Sequence, residues 1–177
     1  DNSGNRRTVA GTHSKLYVID EANAVHDITP TSFTAGDADA VQNMGYGGLT
    51  YGTNGWGTPR PDTGSYTPAT TWSLAPWGEY ALGCSSKDGK IYQWANATGT
   101  IAAVLSNAPT NNNAIVVTEE RFVFALGASG VHNQIKWSDQ ENNNLWAAAT
   151  TNQAGDFILN SGGDLLAGYP MRGETLL

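Results

Sequence analysis

Apolar residues in this chain come in short bursts, separated by Gly, Asn, Asp, Ser and Thr. Lys15–Ile19, Tyr80–Cys84, Gly89–Trp94, Ala114–Thr118 and Arg121–Leu126 are rich in β-branched or aromatic side chains. That composition suits a pleated, half-buried strand, so each segment is predicted to be one. Asp88-Gly89 sits between two such runs and predicts a hairpin, because glycine accepts the positive φ of a tight turn. Glu119-Glu120 predicts a second tight connection. Helical periodicity is almost absent. Only Ala35–Met44 reads as a short helix, with Asp37-Ala38-Asp39 as its acidic N-terminal cap. The fold class is therefore all-β.

A repeat organises these strands. Ala81-Leu82-Gly83-Cys84-Ser85 recurs 44 residues later as Ala125-Leu126-Gly127-Ala128-Ser129, and Ile91 recurs at the same offset as Ile135. Each copy runs on to a tryptophan, Trp94 in one and Trp137 in the other. Ala10-Gly11 and Lys15-Leu16-Tyr17 resemble Leu82-Gly83 and Lys90-Ile91-Tyr92. Gly173-Glu174-Thr175-Leu176-Leu177 echoes Gly78-Glu79-Tyr80-Ala81-Leu82. A period of about 40–50 residues is what one four-stranded propeller blade requires. The expected units are residues 6–43, 72–118, 119–165 and the opening of another at 166–177, forming one β-propeller-like region. Ile28-Thr29-Pro30-Thr31 and Asn107-Ala108-Pro109-Thr110 each place a proline where an outer strand gives way to the next unit. Closed propellers need about four to eight blades, so the segment is expected to be an excerpt of a larger propeller or ring protein.

Residues 45–71 break the rhythm. Glycines alternate there with Tyr46, Tyr51, Trp56 and Tyr66, and three prolines interrupt the run. The segment reads as a long inserted loop, and these four aromatics are the candidate interface residues, since aromatic side chains dominate interface hot spots.

Charge and composition narrow the functional classes. Nine Lys and Arg face sixteen Asp and Glu, for a net charge of −7, and no basic cluster exceeds Arg6-Arg7. Gripping of nucleic-acid phosphates is disfavoured, whereas an acidic surface lets DNA pass without sticking. Cys84 is the single cysteine, so neither an internal disulfide nor a cysteine zinc cluster is expected. No apolar run is long enough for a transmembrane helix.

Candidate chemistry is sparse. His13, His26 and His132 are far apart and lack ligand spacing. Asp37 and Asp39 lack the internal glycine of a calcium loop. Asp139 and Glu141 form the only carboxylate pair worth weighing for glycoside hydrolysis. Ser73, Ser85 and Ser129 have no nucleophile-elbow setting. Gly45-Tyr46-Gly47-Gly48 does not join a strand to a helix, as a phosphate loop must. Asn96-Ala97-Thr98 is a glycosylation triplet that means nothing without secretion. No catalytic residue, cofactor or metal is expected.

Several ordered motifs resemble tail proteins of tailed bacteriophages. They are Trp72-Ser73-Leu74, Trp77-Gly78-Glu79, Gly89-Lys90-Ile91-Tyr92-Gln93-Trp94, Ile135-Lys136-Trp137-Ser138-Asp139, Leu145-Trp146 and Asn152-Gln153-Ala154-Gly155-Asp156. The Gly-Tyr stretch from Gly45 to Thr58 and the closing Arg172-Gly173-Glu174-Thr175-Leu176-Leu177 share the likeness, which spans most of residues 8–177. The family is that of β-propeller-containing virion proteins similar to the nozzle, or second tubular protein, of short-tailed phages. The resemblance implies a non-enzymatic structural subunit of the virion tail. It would pack beside identical subunits in a ring, next to other tail or head-tail connector proteins, around a conduit through which DNA passes without specific binding. Two other readings stand beside it. One is a carbohydrate- or host-receptor-binding propeller using Trp56 and Tyr66 as stacking platforms. The other is a polysaccharide-degrading tail enzyme using Asp139 or Glu141.

Overall fold

The computed structural model describes residues 4–42, 66–160, 162–171 and 174–176. The side chains of Val41, Gln42 and Tyr66 are outside that description. The chain forms small antiparallel sheets whose strands follow sequence order. Sheet I holds β1 (Thr8–Gly11), β2 (Leu16–Ile19) and β3 (Val25–Asp27). A ribbon of β4 (Val41–Gln42) and β5 (Tyr66–Thr67) comes next. Sheet II contains β6 (Trp72–Trp77), β7 (Tyr80–Ser85), β8 (Ile91–Trp94) and β9 (Ala103–Val104). Sheet III contains β10 (Ala114–Val117), β11 (Val123–Leu126), β12 (Gln134–Trp137) and β13 (Gly155–Ile158). Sheet IV is the hairpin of β14 (Tyr169–Met171) and β15 (Glu174–Leu176).

The expected hairpin is present, with Ala81–Cys84 paired to Trp94–Ile91. Gly89 in its turn has φ +66°, and an added Cβ would lie 2.6 Å from the Asn111 backbone. Glycine is required twice over at this point: by conformation and by space. The Glu119-Glu120 connection is also present, closed by Arg121 at φ +63°.

Sheets I, II and III pack face to face in chain order, because strand alternation gives each an apolar side to bury. Leu16, Val18 and Ile28 of the first unit meet Tyr92, Trp94 and Ala102 of the second. Leu82, Cys84 and Ile91 then meet Ile115, Val123 and Ala125 of the third. On the far face of sheet III, Leu126 and Ile135 are covered by Leu159 and Leu165 of the following connection. Leu82, Ile91, Leu126 and Ile135, the four positions matched by the sequence repeat, are all buried.

The same links recur between units. The chain leaves the last strand of each of these sheets by a backbone bond to the start of the strand before it: Ile28 N–H to Leu16 C=O at 3.0 Å, Leu105 to Ile91 at 2.9 Å, and Leu159 to Asn133, just ahead of β12, at 2.9 Å. The connection then crosses the turn before the third strand of the four-stranded pattern. There Gly36, Asn112 and Leu165 donate to the carbonyls of His13, Gly89 and His132 at 2.7, 3.0 and 3.0 Å. Side chains add to the second crossing, where Asn112 Nδ2 donates to Gly89 O at 2.8 Å and to Pro109 O at 2.6 Å.

Several expectations need correction. Among the described residues Ala35–Gln42 contains no helix, and Val41–Gln42 is a strand. Asp37 therefore caps nothing; it takes Lys87 Nζ at 3.0 Å. Tyr66–Thr67, assigned to the inserted loop, pairs as β5. Ala114–Val117 opens sheet III, so the unit boundary falls in the connection before Ala114 and not between 118 and 119. An apolar strand reads alike at either end of a unit, and only its hydrogen-bond partner decides which unit owns it.

The repeat also has a finer register than 44. Leu82 pairs with Gln93, whereas Leu126 pairs with Ile135 and Ile91 pairs with Cys84. The Leu82/Leu126 and Ile91/Ile135 matches thus belong to superpositions two residues apart. Two residues is one pleat period, so both keep the same face buried. The tryptophan match is offset by 43, an odd number, and its members lie on opposite faces. Trp94 packs toward sheet I, and Trp137 toward the far side of sheet III.

Candidate functional site

Of the four candidate interface aromatics, Tyr46, Tyr51 and Trp56 lie outside the described residues. Tyr66 opens β5, and only its backbone is described. The structure instead draws attention to a groove where sheets I and II meet.

The groove runs along β1. In sheets II, III and IV the first strand pairs along one edge of the second: β6 on β7, β10 on β11, β14 on β15. In sheet I, β1 holds the place of β7. Equating Leu16 with Ile91 sets Gly11 on Cys84, since these are their cross-strand partners. Among the described residues no strand pairs with the other edge of β1. Where sheets I and II meet, a cavity of 390 Å³ is lined by Thr8 and Val9 of β1, by Leu74, Ala75 and Pro76 of β6, and by Arg7, Glu79 and Trp94. Leu74 is 39% exposed and Tyr80 43% exposed at its rim. This volume falls in the usual range for binding clefts, about 300–1,000 Å³.

Local packing holds both walls. Trp72 of β6 lies against Gly11, where an added Cβ would fall 2.4 Å from the indole, and its Nε1–H donates to Thr12 O at 2.8 Å. Phe33 and Tyr92 pack around the same indole, with ring centroids 5.2 and 6.3 Å from it. At the other end Arg7 places its guanidinium 5.5 Å from the Trp94 ring centroid and donates to the Asn96 carbonyl. The cleft thus combines apolar groups, Val9, Leu74, Ala75 and Pro76 among them, with polar ones that include Arg7 and Glu79.

The remaining sequence candidates lie elsewhere and are engaged in structure. His26 Nε2 is 2.9 Å from Asp20, and His132 Nδ1 is 3.6 Å from Asp164. His13 and His132 share one place in the repeat through their carbonyls, not their imidazoles. Among the described residues no three His, Cys, Asp or Glu side chains gather to hold a metal. Glu141 sits 2.6 Å from Arg121, whose guanidinium also covers Trp77 at 4.6 Å. Asp139 accepts the Gln153 N–H at 2.8 Å. Neither carboxylate lines the cleft. Ser73 Oγ accepts the Ile115 N–H at 2.8 Å and ties β6 to β10. Cys84 is buried, and burial first, then the Asp88 charge, pushes its thiol up to about 12. It is an inert core residue, since the thiolate is the reactive form. Asn96 of the glycosylation triplet has φ +58° and lines the cleft.

Sequence reasoning passed over Arg7, Val9 and Leu74. The available signal was the third, weaker repeat copy, which opens at Ala10-Gly11.

No family model, no curated protein and no solved structure matches this chain. Among the described residues no helix is long and apolar enough to cross a membrane.

Proposed function

We propose that this chain is a structural component of a bacteriophage tail, part of a nozzle or tail-tube ring that conducts the genome outward. In this reading sheets I to IV are successive propeller-like blades. The observation that supports it most is the repeated stacking of sequential antiparallel sheets, joined by the same backbone links at each crossing. Such stacking makes stiff walls from short repeats, since each unit buries its neighbour's face. The net charge of −7 suits a surface that DNA slides past. The motif likeness to nozzle proteins supplies the biological setting. Its partners are identical subunits and adjoining tail or head-tail connector proteins, and the chain performs no catalysis.

The test is location. Particles purified from the source that encodes the chain are probed with an antibody against it and viewed by electron microscopy. Gold label in a ring at the tail is the expected result. A chain found in infected cells and missing from intact particles overturns the reading.

A further inference from the structure

We propose that the Asp88 carboxylate is a latch: it holds residues 30–37 as a strap across the junction of sheets I and II, and loss of its charge frees the strap locally while sheets II and III stay folded.

The Asp88 side chain is fully buried, although it belongs to the turn between β7 and β8. A buried carboxylate is costly unless hydrogen-bond donors surround it. Lys90 supplies two from the same hairpin, its N–H to Oδ1 at 3.2 Å and its Nζ to Oδ2 at 3.3 Å. A shorter bond crosses the junction, where Thr34 N–H donates to Oδ2 at 2.7 Å. Lys90 Nζ also donates to Ser32 O at 2.8 Å, so carboxylate and ammonium grip the strap on both sides of Phe33. Lys87 adds an ion pair with Asp37 at 3.0 Å. Turn chemistry does not demand the charge, because Asn-Gly suits a tight hairpin as well as Asp-Gly does.

The strap covers an aromatic surface. Phe33 lies 5.2 Å from the Trp72 ring centroid and 6.2 Å from that of Tyr92. Tyr92 is buried there, and burial first, then the Asp88 charge, holds its phenol above the ordinary tyrosine range. Phe33 itself is half-buried, whereas Ser32 and Thr34 on either side of it are exposed. The middle of the strap thus rests on one ring and on the charged grip. A segment with few buried apolar contacts opens locally, well below the free energy of global unfolding. Its ends are fastened separately: Pro30 is buried, Gly36 N–H donates to His13 O at 2.7 Å, and Asp37 N–H donates to Thr70 Oγ1 at 2.9 Å. Opening is therefore confined to the middle. The connection between sheets II and III is held by uncharged groups instead, the buried Leu105 and the buried Asn112 amide that reaches Gly89 O at 2.8 Å. The latch stands apart from the phage assignment, since it concerns how two units of one chain are joined.

The test treats the whole chain with chymotrypsin, which cleaves after Phe33, and reads amide exchange by mass spectrometry. Asp88→Asn keeps a turn-forming residue but sets a neutral amide against the Thr34 N–H and the Lys90 ammonium. Cleavage after Phe33 and exchange at Thr34 should accelerate at least tenfold, with exchange in Tyr80–Ser85 and Val123–Leu126 unchanged. Unaltered cleavage overturns the proposal. So does an equal acceleration in those two strands, because Asp88 then supports the whole fold and not a strap. If Asp88→Asn does not fold, Lys90→Met removes the ammonium that bridges Asp88 and Ser32 and leaves Asp88-Gly89 in place. It should give the same local acceleration, and its failure to do so also overturns the proposal.

Discussion

Sheets II and III are built to one plan and use it differently. Each is a four-stranded meander carrying a buried Leu on its second strand and a buried Ile on its third. Each hands the chain on by equivalent backbone bonds. Yet sheet II turns Trp72, Tyr92 and Trp94 toward sheet I and only Trp77 toward sheet III, whereas sheet III turns Phe124 and Trp137 away from sheet II. The interface between sheets I and II is accordingly aromatic. The one between II and III is mainly aliphatic, with Trp77 and Trp146 among its members. The difference follows from parity: a one-residue displacement of a tryptophan moves it to the other face of a strand, while a two-residue displacement leaves the face unchanged. A repeat protein can thus keep its aliphatic positions fixed and still vary which interface receives its largest side chains.

The sharpest way to break this comparison is through the tryptophans. Trp94 is 2% exposed within the sheet I–II core, whereas Trp137 is half-buried against Phe124. Trp94→Ala should cost about 3–5 kcal/mol, and Trp137→Ala distinctly less, in urea denaturation followed by circular dichroism. Equal losses would show that the two residues do equivalent work despite facing opposite ways.

The aliphatic positions come next. Leu82→Ala and Leu126→Ala should each cost about 2–5 kcal/mol. They sit in different clusters, so the double variant should be additive within about 0.5 kcal/mol. Leu82 and Ile91 share a cluster, and their double variant should depart from additivity. Strong coupling between Leu82 and Leu126 would mean that the two interfaces are not separate cores.

A smaller contrast lies in the turns. Gly89 and Gly127 both have φ near +60°. A Cβ on Gly89 would meet the Asn111 backbone at 2.6 Å, whereas on Gly127 it would meet the Asn113 amide side chain at 2.4 Å. A side chain can move aside and a backbone cannot. Gly127→Ala should cost about 1–2 kcal/mol, the left-handed penalty itself, and Gly89→Ala should cost more, by the same denaturation assay.

The smallest effect belongs to sheet I and serves as a control outside both meanders. Lys15 first, then Thr29, hold the Asp27 carboxyl at about 2, against an ordinary value of 3.8. A lowered folded-state value contributes stability above the unfolded pKa and loses it as pH falls through the folded one. The window is therefore about pH 4 to 2. Both partners are largely solvent-exposed, so the effect should stay within about 1 kcal/mol. Asp27→Asn should flatten that part of the pH–stability curve, lowering stability at pH 7 by no more than that amount and leaving it little changed below about pH 2.

Much of the strand pattern was legible because strands announce themselves locally. Asp88-Gly89 marked its hairpin, and the five apolar runs lie at or near strands, since turn chemistry and alternation are properties of neighbouring residues. The helix at Ala35–Met44 failed for the same reason: a window of small residues has weak local preference, and pairing of Val41–Gln42 with Tyr66–Thr67 overrode it. The cleft along β1 was illegible, because Val9 and Leu74 are unremarkable until two distant segments are brought together.

By itself the sequence determined an all-β chain with a repeat, the residues that form its turns, and the four Leu and Ile positions that became core. These follow from side-chain alternation and backbone conformational preference, which act over a few residues. Tertiary structure alone decided which face each tryptophan took and where one unit ends and the next begins. Those features depend on hydrogen-bond register between strands, and register is a relation between segments that no single segment contains.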